Sequence, residues 1–255
     1  IASTWEALRQ TLITVVGLSM SGHYFSGSDI GGFSGNPGAE LYLRWFQMST
    51  FHPFFRTHSA DGTDPREPWV FGEPYTSIIR KYLSLRYQLI PYLYTLAWQA
   101  HHEGTPVIRP LFWHNPNWAE SWDINDEFYL GDDILIAPVL TASCRARRVV
   151  LPPGNWYFFW DDQYYKGSNS VQIPVTIEDI PIFIRAGSIL PREVDGILEL
   201  HIYLSTDGEA YGTIYSDQGD GYGNWRVDQY YCRKENGDLI INQKVVGEFP
   251  FQYPD

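Results

Sequence analysis

The residues best suited to chemistry lie on two short segments, 23–33 and 51–58. The run His23-Tyr24-Phe25-Ser26-Gly27-Ser28-Asp29 reads as a strand that passes into a glycine-rich loop, Ile30 to Gly38. Asp29 would stand at the C-terminal end of that strand, where barrel folds build their sites. Its carboxylate can accept hydrogen bonds from ligand hydroxyls. Gly31-Gly32 lets backbone approach a ligand closely, and Phe33 offers an aromatic face on the loop. The plainer alternative is that Asp29 caps the turn and Phe33 packs beneath it. On the second segment Arg56 and His58 alternate with Phe55 and Thr57. A period of two puts Arg56 and His58 on one face, two donors directed at one place. Here the plainer alternative ties Arg56 to a nearby carboxylate, with Asp61, Asp64 and Glu67 as candidates. We assign His58 to a site and Arg56 to its support.

Other candidates read as structure. Asp132-Asp133, Asp161-Asp162 and the Asp217/Asp220 pair fall in probable β-turns and lack the spacing of a calcium loop. His101-His102 end a helix, where positive charge is favoured. Cys144 and Cys232 have no metal-ligand spacing and read as free thiols. There is no nucleophile elbow, P-loop or dinucleotide fingerprint.

The elements that would position these residues follow from pattern and punctuation. Residues 3–20 read as a helix opened by an S-T-W-E capping box, Ser3 with Glu6. A second helix runs through Glu40 and Trp45 to Met48, with Pro37 as a first-turn proline. Pro74 to His102 is helical, interrupted at Pro91 and stopped at Gly104. Strand, loop, helix, strand is the signature of a βα barrel segment. After residue 105 the segments shorten: 134–140, 147–151, 156–160, 171–175 and 182–185, then 198–203 and 213–215 beyond a connector at 191–196. They read as antiparallel β-sandwich. The chain ends in the aromatic run Phe249 to Asp255. The expected class is therefore α/β plus all-β: a partial βα barrel followed by one or two β domains.

The chain carries 30 acidic and 18 basic side chains, a net charge of -12. Such a surface disfavours nucleic acid and anionic membrane as partners, and no apolar run reaches the length of a membrane span. Tyrosine and tryptophan are abundant, 18 and 10 residues, and serve equally as core or as sugar-stacking faces.

A set of collinear motifs resembles glycoside hydrolase family 31. They are S-G-S-D-I-G-G-F-S-G at 26–35, E-L-Y-L-R-W at 40–45, H-P-F-F-R-T-H at 52–58, R-E-P-W at 66–69 and I-P-Y-L-Y-T-L at 90–96. P-V-I-R-P-L at 106–111, F-Y-L-G-D-D-I-L-I-A-P-V-L at 128–140 and I-P-I-F-I-R-A-G-S-I-L-P at 180–191 continue the series. The resemblance implies the last part of a (β/α)8 barrel in 1–104, a proximal C-terminal β-sandwich in 105–194 and the start of a distal one in 195–255. It implies a retaining α-glucosidase that needs no metal or organic cofactor. Its nucleophile and acid/base aspartates would lie upstream of Ile1, so residues 1–255 alone would be inactive and the N-terminal remainder of the enzyme would be their partner. An α-xylosidase or α-glucosyltransferase on the same scaffold, or a non-catalytic carbohydrate-binding module, are the rival readings. By the same resemblance His58, Asp29 and Phe33 would line the pocket for a terminal glucose, with Arg56 and Trp45 as supporting wall.

Overall fold

The computed structural model describes residues 1–253; Pro254 and Asp255, the end of the terminal aromatic run, lie outside the described residues. Four helices come first: α1 (Trp5–Met20), α2 (Ala39–Ser49), α3 (Tyr75–Gln88) and α4 (Ile90–Glu103). Their ends correct two sequence expectations, the capping box and the place of Pro37, and bear out the split near Pro91 and the stop at Gly104. Thr4, not Ser3, caps α1, and its hydroxyl accepts from the Ala7 N–H at 3.1 Å. Ser3 is held instead by a parallel bridge between Ala2 and Ser34, and its hydroxyl donates to the Ser34 carbonyl. Glu6 accepts from Gln10, so no capping box forms. Gly38 caps α2, which leaves Pro37 outside the first turn. The long helical stretch breaks at Leu89, and Pro91 falls in the first turn of α4, where its missing N–H costs nothing. Gly104 closes α4 in the left-handed region, φ 69°.

The strands expected at 23–29 and 51–58 contract to one parallel bridge, Asp29 with Arg56. Parallel pairing is stable in sheets flanked on both sides, and these two stretches have only each other among the described residues.

The β part begins with a six-stranded antiparallel sheet. Its strands, in spatial order, are β1 (Ile108–Arg109), β2 (Phe128–Leu130), β3 (Ile134–Ile136), β8 (Ile182–Arg185), β5 (Asn155–Phe158) and β6 (Tyr164–Lys166). A two-stranded antiparallel sheet of β4 (Ala146–Leu151) and β7 (Asn169–Pro174) covers one face. Successive side chains point to opposite faces of a strand. Tyr129, Leu135, Trp156 and Phe183 accordingly pack with Val149, Leu151 and Ile173 of this pair. Their neighbours Phe128, Leu130, Ile134, Ile136, Ile182 and Ile184 pack on the helices with Tyr82, Tyr92 and Leu96. Burial on both faces explains why I-L-I and I-F-I read as unbroken apolar runs. Side chains of α2 and α3 also clamp the 176–179 turn: Arg44 donates to the Thr176 and Asp179 carbonyls at 2.7 and 2.6 Å, and Tyr82 to that of Glu178 at 2.6 Å.

A second sheet has the order β10 (Ile197–Tyr203), β9 (Ser188–Val194), β11 (Glu209–Asp217), β12 (Trp225–Glu235), β13 (Asp238–Gly247). The supposed connector 191–196 is the end of β9 and a tight turn at Asp195-Gly196. Pro191 is tolerated there because β11 pairs with β9 only at Ser188, so no donor is required on that edge. Tyr215 of β11 donates its backbone N–H to Thr95 of α4, which docks this sheet on the helix.

Of the paired acids, Asp161-Asp162 form a turn, with Asp162 at φ 57°. Asp132-Asp133 also lie in a turn. Asp133 is more than a turn residue: its carboxylate accepts from the Ser188 hydroxyl at 2.6 Å and the Tyr92 hydroxyl at 3.2 Å, and its burial raises its pKa. Cys144 and Cys232 are both free.

Candidate functional site

The lone bridge sets Asp29 beside Arg56. The Ile30 N–H donates to the Arg56 carbonyl at 3.1 Å, and Arg56 Nε donates to Asp29 Oδ1 at 2.7 Å. The Asp29 side chain is 14% exposed and that of Arg56 51%. Arg56 therefore pairs with Asp29, and not with Asp61, Asp64 or Glu67. The 61–67 run turns the other way: the Asp64 N–H binds Asn36, and the neighbouring Arg66 is buried.

At the far end of the same loop Phe33 meets His58. Their ring centroids are 5.7 Å apart and the planes tilt by 36°. Phe33 is 39% exposed, so it does not pack beneath the turn. The Ala60 N–H donates to the Phe33 carbonyl at 2.8 Å and ties the loop to the segment carrying His58. Arg56 and His58 thus reach the two ends of one loop, Asp29 and Phe33. Trp45 plays a different part from a ligand wall. It is fully buried, and its indole N–H donates to the Ser28 hydroxyl at 2.9 Å, steadying the residue before Asp29.

Two further constraints fix the loop. Gly32 sits at φ 89°, and a Cβ there would lie 2.7 Å from the Ala2 carbonyl group. The close approach lets Phe33 and Ser34 donate to the Ile1 carbonyl at 2.8 and 3.0 Å. Below the loop, Arg66 donates to the Gly32 and Gly35 carbonyls, while its own carbonyl accepts from the Tyr42 hydroxyl at 2.8 Å. Burial pushes the Arg66 pKa down. The sequence reading had no role for Arg66; its signal was the R-E-P-W motif alone.

The cluster offers one carboxylate already paired with an arginine, one imidazole and one exposed aromatic face. It can orient a neutral, hydroxyl-rich ligand. It holds no second carboxylate opposite Asp29, so cleavage of a glycosidic bond by a carboxylate pair is not assigned to it.

A polar rim on loops between helices, followed by antiparallel β modules, is an arrangement in which barrel folds carry ligand sites. The comparisons sharpen that class. Residues 1–96 match the glycosyl hydrolases family 31 TIM-barrel domain, and residues 104–190 match the family's C-terminal domain. The chain belongs to glycoside hydrolase family 31. It is 37% identical to alpha-glucosidase 2 of Bacillus thermoamyloliquefaciens over 98% of its length, which is 33% of that relative. It is 40% identical to mouse neutral alpha-glucosidase C over 90% of its length and 27% of that relative. The chain thus spans a third or less of these curated relatives. A Flavobacterium johnsoniae family 31 dextranase in complex with glucose superposes with a TM-score of 0.88 at 30% identity, over 93% of this chain and 32% of that one. A glucosidase II alpha subunit gives 0.86 at 30% identity, over 90% and 27%.

Proposed function

We propose that the chain serves a retaining α-glucosidase and supplies one side of the pocket for a terminal α-linked glucose. The arrangement that carries this reading is the Asp29–Arg56 and Phe33–His58 pair of contacts across one glycine loop. Asp29 and His58 hold ring hydroxyls, Phe33 faces the sugar at the rim, and Arg56 holds the Asp29 carboxylate in place. The two reacting carboxylates come from the remainder of the enzyme. One protonates the glycosidic oxygen; the other attacks the anomeric carbon and forms a glycosyl-enzyme that water then opens. Bonds from Asp29 and His58 that tighten in the oxocarbenium-like transition state lower the barrier. The α-glucosidase names of the relatives and the glucose in the dextranase complex support this substrate class. For the modules we propose a barrel part to residue 104 and a break between the two β modules at Gly187, ahead of β9 and earlier than the 194 boundary read from sequence.

The test uses the full-length enzyme and maltose. A hydrogen bond to a charged group is worth about 1.5–3 kcal/mol, and a neutral one about 1 kcal/mol. Asp29→Ala should therefore lower kcat/KM by about 10- to 100-fold and His58→Ala by about fivefold or more. Unchanged kcat/KM in both variants would remove the pocket reading.

A further inference from the structure

Helix α4 and the β11–β12 hairpin line an open cleft of about 460 Å³, within the roughly 300–1,000 Å³ usual for small-molecule sites. Its floor is aromatic. Trp98 of α4 and Tyr215 of β11 stack nearly parallel, 11° apart with centroids at 5.2 Å, and Tyr94 tilts against Tyr215 at 5.7 Å. Both phenols donate to one carboxylate: Tyr94 to Asp217 Oδ1 at 2.6 Å and Tyr215 to Oδ2 at 2.8 Å. The Gly219 N–H adds a third bond at 2.8 Å. Burial works against the Asp217 charge, but these bonds outweigh it and hold its pKa below the usual carboxylate range. The hairpin supplies the outer wall, where Trp225 is 40% exposed and Tyr222 wholly exposed. The exposed rings of His101 and His102 complete the rim.

We propose that this cleft is a second saccharide-binding site, taking a short α-glucan from the same substrate pool as the Asp29–His58 pocket. The chemistry of the lining selects the ligand. No lysine or arginine lines the cleft, so phosphate and carboxylate ligands find no counter-charge. The one carboxylate already has three donors, so it organises the phenols more than it attracts a cation. What remains is flat indole and phenol surface for the C–H faces of a pyranose, bordered by imidazole and hydroxyl groups that bond its edges. None of these residues belongs to the Asp29, Phe33, Arg56 and His58 cluster. The choice of an α-glucan rests on the proposed glucosidase function; the existence of the site does not.

The experiment is a calorimetric titration of maltotriose into the full-length enzyme saturated with a monosaccharide iminosugar, which occupies the glucose pocket. We expect one further binding event. It should weaken at least tenfold in the Trp225→Ala/Tyr222→Ala double variant, whose turnover of an aryl α-glucoside and melting temperature stay unchanged because neither side chain belongs to a buried core. The event should persist in Asp29→Ala. Three results overturn the proposal: no second event, a second event indifferent to the double variant, or displacement of the trisaccharide by tetramethylammonium, which would mark an aromatic cage for organic cations. If the enzyme cleaves no α-glucoside yet binds maltotriose through Trp225, the glucosidase reading fails and this site stands.

Discussion

Ile134, Leu135 and Ile136 are all buried although their side chains leave the strand on opposite faces, whereas the side chains of Phe33, Arg56 and His58 reach solvent. The first group belongs to the joint between helices and sandwich, the second to the proposed ligand rim. In the joint each residue is confined by many apolar neighbours, and position follows from close packing. On the rim a handful of individual constraints does the same task. Arg66 holds two carbonyls, the Ala2 backbone abuts Gly32, Trp45 holds Ser28, and Arg56 holds Asp29. Stability is concentrated in the joint, and the rim converts it into geometry through a few polar contacts. A pocket for hydroxyl groups must stay wet and polar, so it has no apolar packing of its own to rely on.

The strongest test of that division is Phe183→Ala. Phe183 is fully buried on the sandwich side of β8, between Phe158 and Tyr165 with centroids at 5.2 and 5.3 Å. Emptying the site should cost about 3–5 kcal/mol, read as the shift in denaturant unfolding of the full-length enzyme. A loss below about 1 kcal/mol would mean that the joint is not where stability resides.

Glu127 tests the polar exception within the joint. It is 2% exposed; one oxygen accepts from the Val150 N–H at 2.8 Å and the other has no partner among the described residues. Burial raises its pKa from the ordinary 4.5 to about 8, with Arg147 opposing the rise. Between those values the folded chain keeps a proton that the unfolded chain has lost. Its contribution is intact below about pH 4.5 and is lost as pH rises toward 8. Glu127→Gln keeps the shape and removes the titration. Denaturation midpoints at pH 5 and pH 8 should show the variant gaining on the parent as pH rises. Equal gaps at the two pH values would show that Glu127 ionises freely in the fold.

The same contrast governs what the sequence discloses. Joint residues announce themselves, because burial on two faces leaves runs such as I-L-I and I-F-I, and Pro91 and Gly104 mark where α4 begins and ends. Asp29, Phe33 and His58 are visible as chemistry at strand ends, and the family motifs locate them. The strands read at 23–29 and 51–58 reduce to one bridge, because parallel pairing depends on flanking neighbours. Arg66 is hidden for another reason: its partners are backbone carbonyls 34 and 31 residues away, and a carbonyl has no residue identity to read. The β12–β13 hairpin carries one clear signal, Asn236-Gly237, whose residues both take positive φ, 53° and 99°. Its second strand carries none, because every residue of β13 is exposed and the apolar-in, polar-out alternation of a half-buried strand is missing.

The smallest expected stability effect is also the most telling for the rim. The Arg56 side chain is half exposed and makes one bond to Asp29, at 2.7 Å. Exposed ion pairs contribute about 0.2–1 kcal/mol, so Arg56→Ala should change unfolding by less than about 1 kcal/mol. Its effect on ligand should be larger in proportion. Without the guanidinium the Asp29 carboxylate is free to swing, and the ordering it had before binding must be supplied when the sugar arrives. The full-length Arg56→Ala enzyme should show a raised KM for maltose, in part restored by Arg56→Lys, with unfolding unchanged. A destabilisation on the scale of Phe183→Ala would make the pair a structural bond like those of the joint. An unchanged KM would mean that the Asp29 carboxylate is positioned by its backbone bridge alone.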